Sequence, residues 1–466
     1  MSANDRMRSL YIYIGIEYIK TNGERSMLND FLDFINSYFF GPGLCVTVFL
    51  TGIFLIIYLK PFFLTRPRKM LSALRCGGGK NGVSPLRAMT VALAGTLGVG
   101  NIAGVASAIY IGGAGAVFWM LVSAVAALPI KYAEIVLAVR HRKKDENGNY
   151  HGGAYFYIAR QGTRTAKITA ALFAFLCLGA SLAMGCAVQS SAIAVSAHEA
   201  FGLSPLVCGL VVGILTLTVA SGGLSRIALL TEKLIPVMSG IYIIMSLFII
   251  FANASLLYDI FRDIIACAFD REAIGGGILG FITSRALRIG VTRGIVSNEA
   301  GCGTAPIAHA SAQVRSPAAQ GVFGIFEVFI DTVVICTMTA LVVLIAQHRG
   351  VALSADGMRT AVDSMACFIP FSEVMICAAV AVFAFCTIVC WFYYGTESLS
   401  YLTKSTGAQR IYLFLYSICA FVGSISTAEI VWSFSDLAIS AMTAVNITAV
   451  MLRIREVKSE TEKFVK

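Results

Sequence analysis

The chain has 466 residues and a formal net charge of +10, with 57% of its residues hydrophobic and only 13% charged. A soluble chain of that length needs more charge to solvate its surface and divides into two or three domains, so this composition excludes an ordinary globular protein and points to an outer surface bathed in lipid. The basic residues lie between apolar runs and not in one solvated patch, which argues against a nucleic-acid partner.

Taken in chain order, residues 1–43 form an extension containing YIYIGIEYI, which Glu17 interrupts and which is too short to cross a bilayer. It has neither the basic start nor the small-residue cleavage site of a secretory signal. Windows of about 20 apolar residues then predict about eleven spans. They fall near 44–60, 88–111, 114–138, 167–199, 205–221, 227–252, 273–292, 320–347, 372–402, 410–426 and 429–452. The fold expected is an all-α polytopic membrane protein. The fourth and ninth spans exceed a perpendicular crossing and imply tilt or extension past the headgroups.

The loop after the first span holds Lys60, Arg66, Arg68, Lys69, Arg75, Lys80 and Arg87; that after the third holds Arg140, Arg142, Lys143 and Lys144. With the other loops of that side, roughly 27 of the 36 lysines and arginines share one face, so the positive-inside rule predicts an outward N-terminus and an inward tail. The organisation read this way is an external extension (1–43), an extra transmembrane helix (44–60) and a basic cytoplasmic loop (61–87). A first five-helix set (88–252), an external loop (253–272), a second five-helix set (273–452) and a cytoplasmic tail (453–466) follow. Thirteen cysteines occur without a CxxC pair, and Cys177, Cys186, Cys336, Cys386 and Cys390 lie inside spans. They read as small packing residues and not as a disulfide or zinc framework.

The second span contains AGTLGVGNIAGVASAI, with Gly95, Gly98, Gly100 and Gly104 in an uncharged stretch. One reading is close helix approach through Gly100-x-x-x-Gly104. A dinucleotide loop fails on context, since no βαβ unit surrounds it. The other reading is a deliberate break around Thr96 and Asn101, because unwound backbone survives in hydrocarbon only where it lines an enclosed cavity. Such a break presents N–H groups to a carboxylate and carbonyls to Na⁺ or an ammonium group. A matching interruption is expected in the other half, and GGGILGFITS, with Gly275, Gly276, Gly277 and Gly280, opens the second set of five. Each half also has a long third member, which suggests an inverted repeat.

The stretches TLGVGNIAGVASAIYIGGAGAVFWM, GVTRGIVSNEAGCGTAPIAHASAQV, FIDTVVICTMTAL and WFYYGTESLSYL, spread over roughly residues 45–450, resemble the alanine or glycine:cation symporter family, also called the sodium:alanine symporters. The resemblance implies a LeuT-like fold of five-plus-five inverted repeats with discontinuous helices after one extra N-terminal helix. It implies a bacterial or archaeal inner-membrane carrier that takes up L-alanine, glycine or a similar small neutral amino acid with Na⁺, sometimes H⁺, and no organic cofactor. Departures from the family pattern are Ala114 and Ala154 in place of prolines, and Cys302 and Thr304 where Met and Ser are common.

The substrate of such a carrier is a zwitterion whose two charges must both be met out of water. The carboxylate is assigned to amides of Gly98, Gly100 and Asn101 with the Thr96 hydroxyl, and the ammonium to carbonyls around Gly276, Gly277 and Gly280. Gln189 must find a partner in its apolar span, as interhelical glue or, as the resemblance implies, in the amino-acid pocket. Trp391 lies one turn after Thr387; it reads as an interface anchor or, by the resemblance, as a ring that limits side-chain size. The resemblance also places Na⁺ between carbonyls near Ala94, Leu97 and Cys386 and the Thr387 hydroxyl.

Asp331 with Glu327, and Lys131 with Glu134, lie toward span ends, where they read as snorkelling or paired groups, with inner-gate pairing as the alternative. Ser297, Asn298 and Glu299 are placed in a cytoplasmic loop, as a helix cap or part of an inner gate, and His309 reads as a loop residue. A channel would require a continuous polar ring, and an intramembrane enzyme a catalytic dyad or HExxH; neither pattern is present.

Overall fold

The computed structural model describes residues 41–75, 83–146, 148–269, 284–369, 372–426 and 429–466. Almost all of them are helical. In chain order the main helices are α1 (Gly41–Leu59), α2 (Pro85–Thr96), α3 (Ala103–Gly112), α4 (Gly115–His141), α5 (Arg164–Leu182) and α6 (Gln189–Phe201). There follow α7 (Pro205–Ala220), α8 (Gly223–Ala252), α9 (Leu257–Ala268), α10 (Arg285–Asn298), α11 (Ala305–Ala310), α12 (Pro317–Val328) and α13 (Thr337–His348). The last are α14 (Gly357–Ala366), α15 (Ser372–Leu402), α16 (Thr406–Ile425), α17 (Glu429–Leu452) and α18 (Ile454–Val465). A small hairpin, β1 (Lys143–Lys144) against β2 (Tyr150–His151), follows α4.

Among the described residues, seven helices are long and apolar enough to cross a membrane, and the pair α2 and α3, bent by 65°, makes an eighth. Two of the seven carry π turns: Ala183–Val188 joins α5 to α6, and Phe329–Cys336 joins α12 to α13. Residues 46–59 of α1, and α7, are apolar but shorter.

Starts are set by local chemistry. Ser84 caps α2 by accepting from the Arg87 amide at 3.2 Å, with Pro85 in the first turn, and Ser316 with Pro317 repeats the device on α12. The most apolar part of α4 is 83% buried and that of α16 only 33%, so α4 lies inside the bundle while α16 turns toward lipid. α4 is held between α10 and α12. Small residues allow this: a Cβ added at Gly290 would sit 2.3 Å from the Ala116 carbonyl oxygen, and one at Gly324 would sit 2.2 Å from Ile135. α15 packs on α5, α6, α8 and α2. This arrangement brings α2, α6 and α15 together around the first break.

Candidate site at the helix breaks

α2 stops at Thr96. The Gly98 amide donates to the Thr96 carbonyl at 2.9 Å and to Asn101 Oδ1 at 3.3 Å, and the Asn101 amide donates to the Gly98 carbonyl at 3.3 Å. In an unbroken helix those two amides would serve the carbonyls of Ala94 and Leu97. The break therefore releases both oxygens. Thr387 Oγ1 on α15 lies 2.9 Å from the Ala94 oxygen, 3.4 Å from that of Leu97 and 3.0 Å from that of Phe383. The Phe383 oxygen already serves the Thr387 amide within α15, so the one hydroxyl proton is shared between the released oxygens of Ala94 and Leu97 and can meet only one of them at a time. That donor set, uncharged and all oxygen, suits Na⁺. Cys386 is buried beside it on α15. Among the described residues no group of three His, Cys, Asp or Glu is placed to hold a metal.

Gln189 begins α6 directly after the π turn. Its Oε1 accepts from the Val99 amide at 3.4 Å and its Nε2 donates to the Met184 carbonyl at 3.3 Å. A Cβ at Gly98 would lie 3.0 Å from both Gln189 Oε1 and Thr387 Oγ1, so the three meet at close quarters. Trp391 is buried, and its Nε1 donates to the Gly95 carbonyl at 3.3 Å. The Thr96 hydroxyl turns back to the Leu93 carbonyl at 3.3 Å. A Cβ at Gly100 or Gly104 would meet nothing within 4 Å, so the close-packing reading of that glycine pair does not hold.

Asn101 is the junction between the two halves. Its Nδ2 donates to Asp331 Oδ1 at 2.7 Å and to Ser297 Oγ at 3.1 Å. Ser297 and Thr332 each donate to Asp331 Oδ2 at 2.8 Å, and Thr339 donates to the Asn101 carbonyl at 2.9 Å. Asp331 thus accepts from three side chains with no exposed surface. It lies in the π turn near the middle of Pro317–His348, so the snorkelling reading fails. Glu327 is also buried, pairing with Lys131 Nζ at 3.0 Å and His309 Nε2 at 3.0 Å; His309 is a fully buried residue of α11 and not a loop residue.

Gly276, Gly277 and Gly280 lie outside the described residues. The described interruption of the second half is elsewhere, at Glu299–Thr304 between α10 and α11. Ser297, Asn298 and Glu299 are consequently buried at a helix break and not in a cytoplasmic loop. Glu299 is left-handed at φ 51°, a strained choice for a residue with a Cβ, and Gly301 and Gly303 follow at φ 87° and 78°. Thr304 Oγ1 donates to Glu299 Oε2 at 2.6 Å. The Gly303 amide donates to Glu134 Oε2 at 3.2 Å, Asn446 Nδ2 reaches both that oxygen and the Gly301 carbonyl at 2.8 Å, and Lys131 Nζ donates to the Asn298 carbonyl at 2.8 Å. Cys302 shares a buried cluster with Met184, whose carbonyl accepts from Gln189, and Asn101 of the first break donates to Ser297 just before the second. Glycines beside Asn298 in SNEAGCG were the signal, of the same kind as GVGN. The arginines of α10 hid it by lowering the local hydropathy.

The model of the Sodium:alanine symporter family matches residues 25–466. The chain is 34% identical over 441 residues to the Sodium/alanine symporter AgcS of Methanococcus maripaludis, covering 92% of this chain and 96% of that one. It is 34% identical over 377 residues to the Amino-acid carrier protein AlsT of Bacillus subtilis, covering 80% and 78%. It is 33% identical over 442 residues to the "Probable sodium/glutamine symporter GlnT" of Bacillus subtilis, covering 92% and 89%. In structure it is similar to MhsT in complex with L-phenylalanine (TM-score 0.57, 13% identity, 82% of this chain and 93% of that one). It is also similar to a Na⁺-coupled sialic acid symporter (TM-score 0.56, 13% identity, 92% and 88%). These neighbours share the LeuT fold, which is the fold of this chain. With a match across nearly its whole length, and with broken helices that meet at an oxygen-lined centre, the chain is a transporter, not an enzyme, and belongs to the sodium:alanine symporter family.

Proposed function

We propose that the protein is a Na⁺-coupled amino acid symporter that takes up a small neutral amino acid, L-alanine or glycine, by alternating access. The observation that carries this is the meeting of Thr387 Oγ1 with the released carbonyls of Ala94 and Leu97, directly beside Gln189 and Trp391. Na⁺ binds in that oxygen cluster. The amino-acid carboxylate takes amides of the first break between Gly98 and Asn101 and the Thr96 hydroxyl by displacing their present partners, among them the Asn101 and Gln189 side-chain oxygens, and its ammonium faces the carbonyls of the break at Glu299–Thr304. Trp391 closes the side-chain end and excludes larger residues. Asn298, Glu299 and Asp331 serve as gate residues: Asp331 links Ser297 of α10 to Asn101 of the first break, and Asn298 and Glu299 end α10 at the second. The carrier sits in a bacterial cytoplasmic membrane with its N-terminus outside and its C-terminus inside, a reading that the lysine and arginine bias supports.

One charge moving down 100 mV supplies about 2.3 kcal/mol, a roughly 50-fold accumulation before any concentration gradient is counted. Uptake of labelled alanine and glycine into proteoliposomes under Na⁺, Li⁺, K⁺ or pH gradients tests the reading. An inward Na⁺ gradient is expected to drive accumulation that K⁺ does not. Uptake that follows the pH gradient and ignores Na⁺ would replace Na⁺ by H⁺ as the coupling ion, and uptake of neither amino acid would reject the substrate class.

A further inference from the structure

On the side of the basic loops, where α4 and α15 end and α5 begins, a cavity of about 790 Å³ opens between the three helix ends. The short helices Ala154–Ile158 and Ala159–Gln161 supply part of its wall. Five of the side chains around it are lysine or arginine: Arg140, Arg142, Lys143, Arg160 and Lys167. Among the described residues no carboxylate lines it.

The five cations are not equally free. Arg140 meets Glu456 of α18 at 2.9 Å and also pairs with Glu460. Arg142 donates to the carbonyls of Ala310, Ala312 and Val314, and its guanidinium lies 3.7 Å over the Tyr150 ring. Those two are fastened to the protein. Lys143, Arg160 and Lys167 are exposed, and among the described residues none of them pairs with a carboxylate. Lys143 Nζ rests 5.3 Å over the ring of Phe156, itself part of the wall, so that charge is held at the cavity. A hollow lined by one sign of charge concentrates its field on whatever enters, and like charges held around it repel until an anion sits among them.

The same cavity opens onto surface that faces lipid. Lys167 and Ala171 of α5 line it, and Phe175 continues that row one turn further, 64% exposed. Ile168 and Leu172 beside the row are exposed too, as is Leu402 at the end of α15. α5 belongs to a helix long and apolar enough to cross the membrane, so these side chains meet hydrocarbon. A ligand with a negative head and an apolar tail matches both parts. A soluble phosphate would use only the first.

We propose that this cavity is a binding site for an anionic phospholipid of the leaflet on the basic-loop side. Its phosphate lies among Lys143, Arg160 and Lys167, and an acyl chain runs along Ala171 and Phe175 of α5. The site lies apart from the helix breaks and does not rest on the symport reading.

Native mass spectrometry of the full-length protein in neutral detergent, titrated with phosphatidylglycerol, phosphatidylcholine or inorganic pyrophosphate, tests this. Phosphatidylglycerol is expected to bind about 10-fold or more tighter than phosphatidylcholine. The triple variant Lys143→Gln, Arg160→Gln, Lys167→Gln is expected to bring the two lipids within about 2-fold of each other. A second triple variant, Lys60→Gln, Arg66→Gln, Arg68→Gln, removes the same charge from exposed positions on the same side but outside the cavity, and is expected to keep the preference. Equal binding of both lipids by the wild type, a preference that survives in the first variant, or an equal loss in both variants overturns the site. Pyrophosphate that binds as tightly as phosphatidylglycerol and displaces it overturns the lipid as the occupant.

Discussion

Thr387 has a single hydroxyl, and the released oxygens of Ala94 and Leu97 share its proton. A side chain in that position is useful for its lone pairs. Thr387→Ala is expected to weaken Na⁺ binding by 10-fold or more, and Thr387→Ser to retain it within about 3-fold, read from the Na⁺ dependence of alanine binding. Equal Na⁺ affinity in the alanine variant would remove Thr387 from the ion site. The first break was legible because glycine crowding with a single Asn in an uncharged span is hard to reconcile with a continuous helix. Thr387, Gln189 and Trp391 were legible only through family resemblance, since one threonine or tryptophan in a membrane helix carries no signature of its own. The left-handed Glu299 was not legible at all: a residue with a Cβ gives no warning that it will adopt a positive φ.

Helices α4, α10 and α12 are locked together by charge as well as by small residues. Lys131 on α4 donates to the α10 carbonyl of Asn298 and pairs with Glu327 on α12, all without solvent. Removing one member of a buried pair leaves the other uncompensated, at a cost of about 3–5 kcal/mol. Lys131→Met should therefore lower the thermal unfolding midpoint in detergent sharply; an unchanged midpoint would show that the pair does not hold the helices. This cluster escaped sequence reading because its partners are far apart along the chain, and a lysine near a span end is equally compatible with snorkelling. The second break escaped for a related reason. Hydropathy rewards apolar runs, and α10 with Arg285, Arg288 and Arg293 reads like a loop.

In the proposed alternating-access cycle, rocking one set of helices against the other would move the breaks relative to α15. The hairpin after α4 is tied to α15 by one titratable pair, His151 with Glu397. The Glu397 and Asp145 carboxylates push the His151 imidazole up to about 9 against the opposing effect of its partial burial. The neighbouring charges are Arg142 and Lys144 on the hairpin side and Arg87, which pairs with Glu232 and lines the same cavity of about 550 Å³ as His151 and Glu397. A raised histidine contributes attachment that is complete below its ordinary value of about 6.5 and lost as pH climbs through about 9. Limited proteolysis of the 143–151 segment should accelerate between pH 8 and 10 in the wild type and be fast and pH-independent in His151→Gln. Cleavage at one rate across that range in the wild type would break the link.

The convergence of carbonyls on one hydroxyl has a final consequence. The Thr387 proton can bridge to only one of the Ala94 and Leu97 oxygens at a time, so one lone pair at the seam of α2 and α15 stays unmet. In the proposed symport cycle the ion would be freight and rivet together: its arrival would pin that seam and its departure would loosen it.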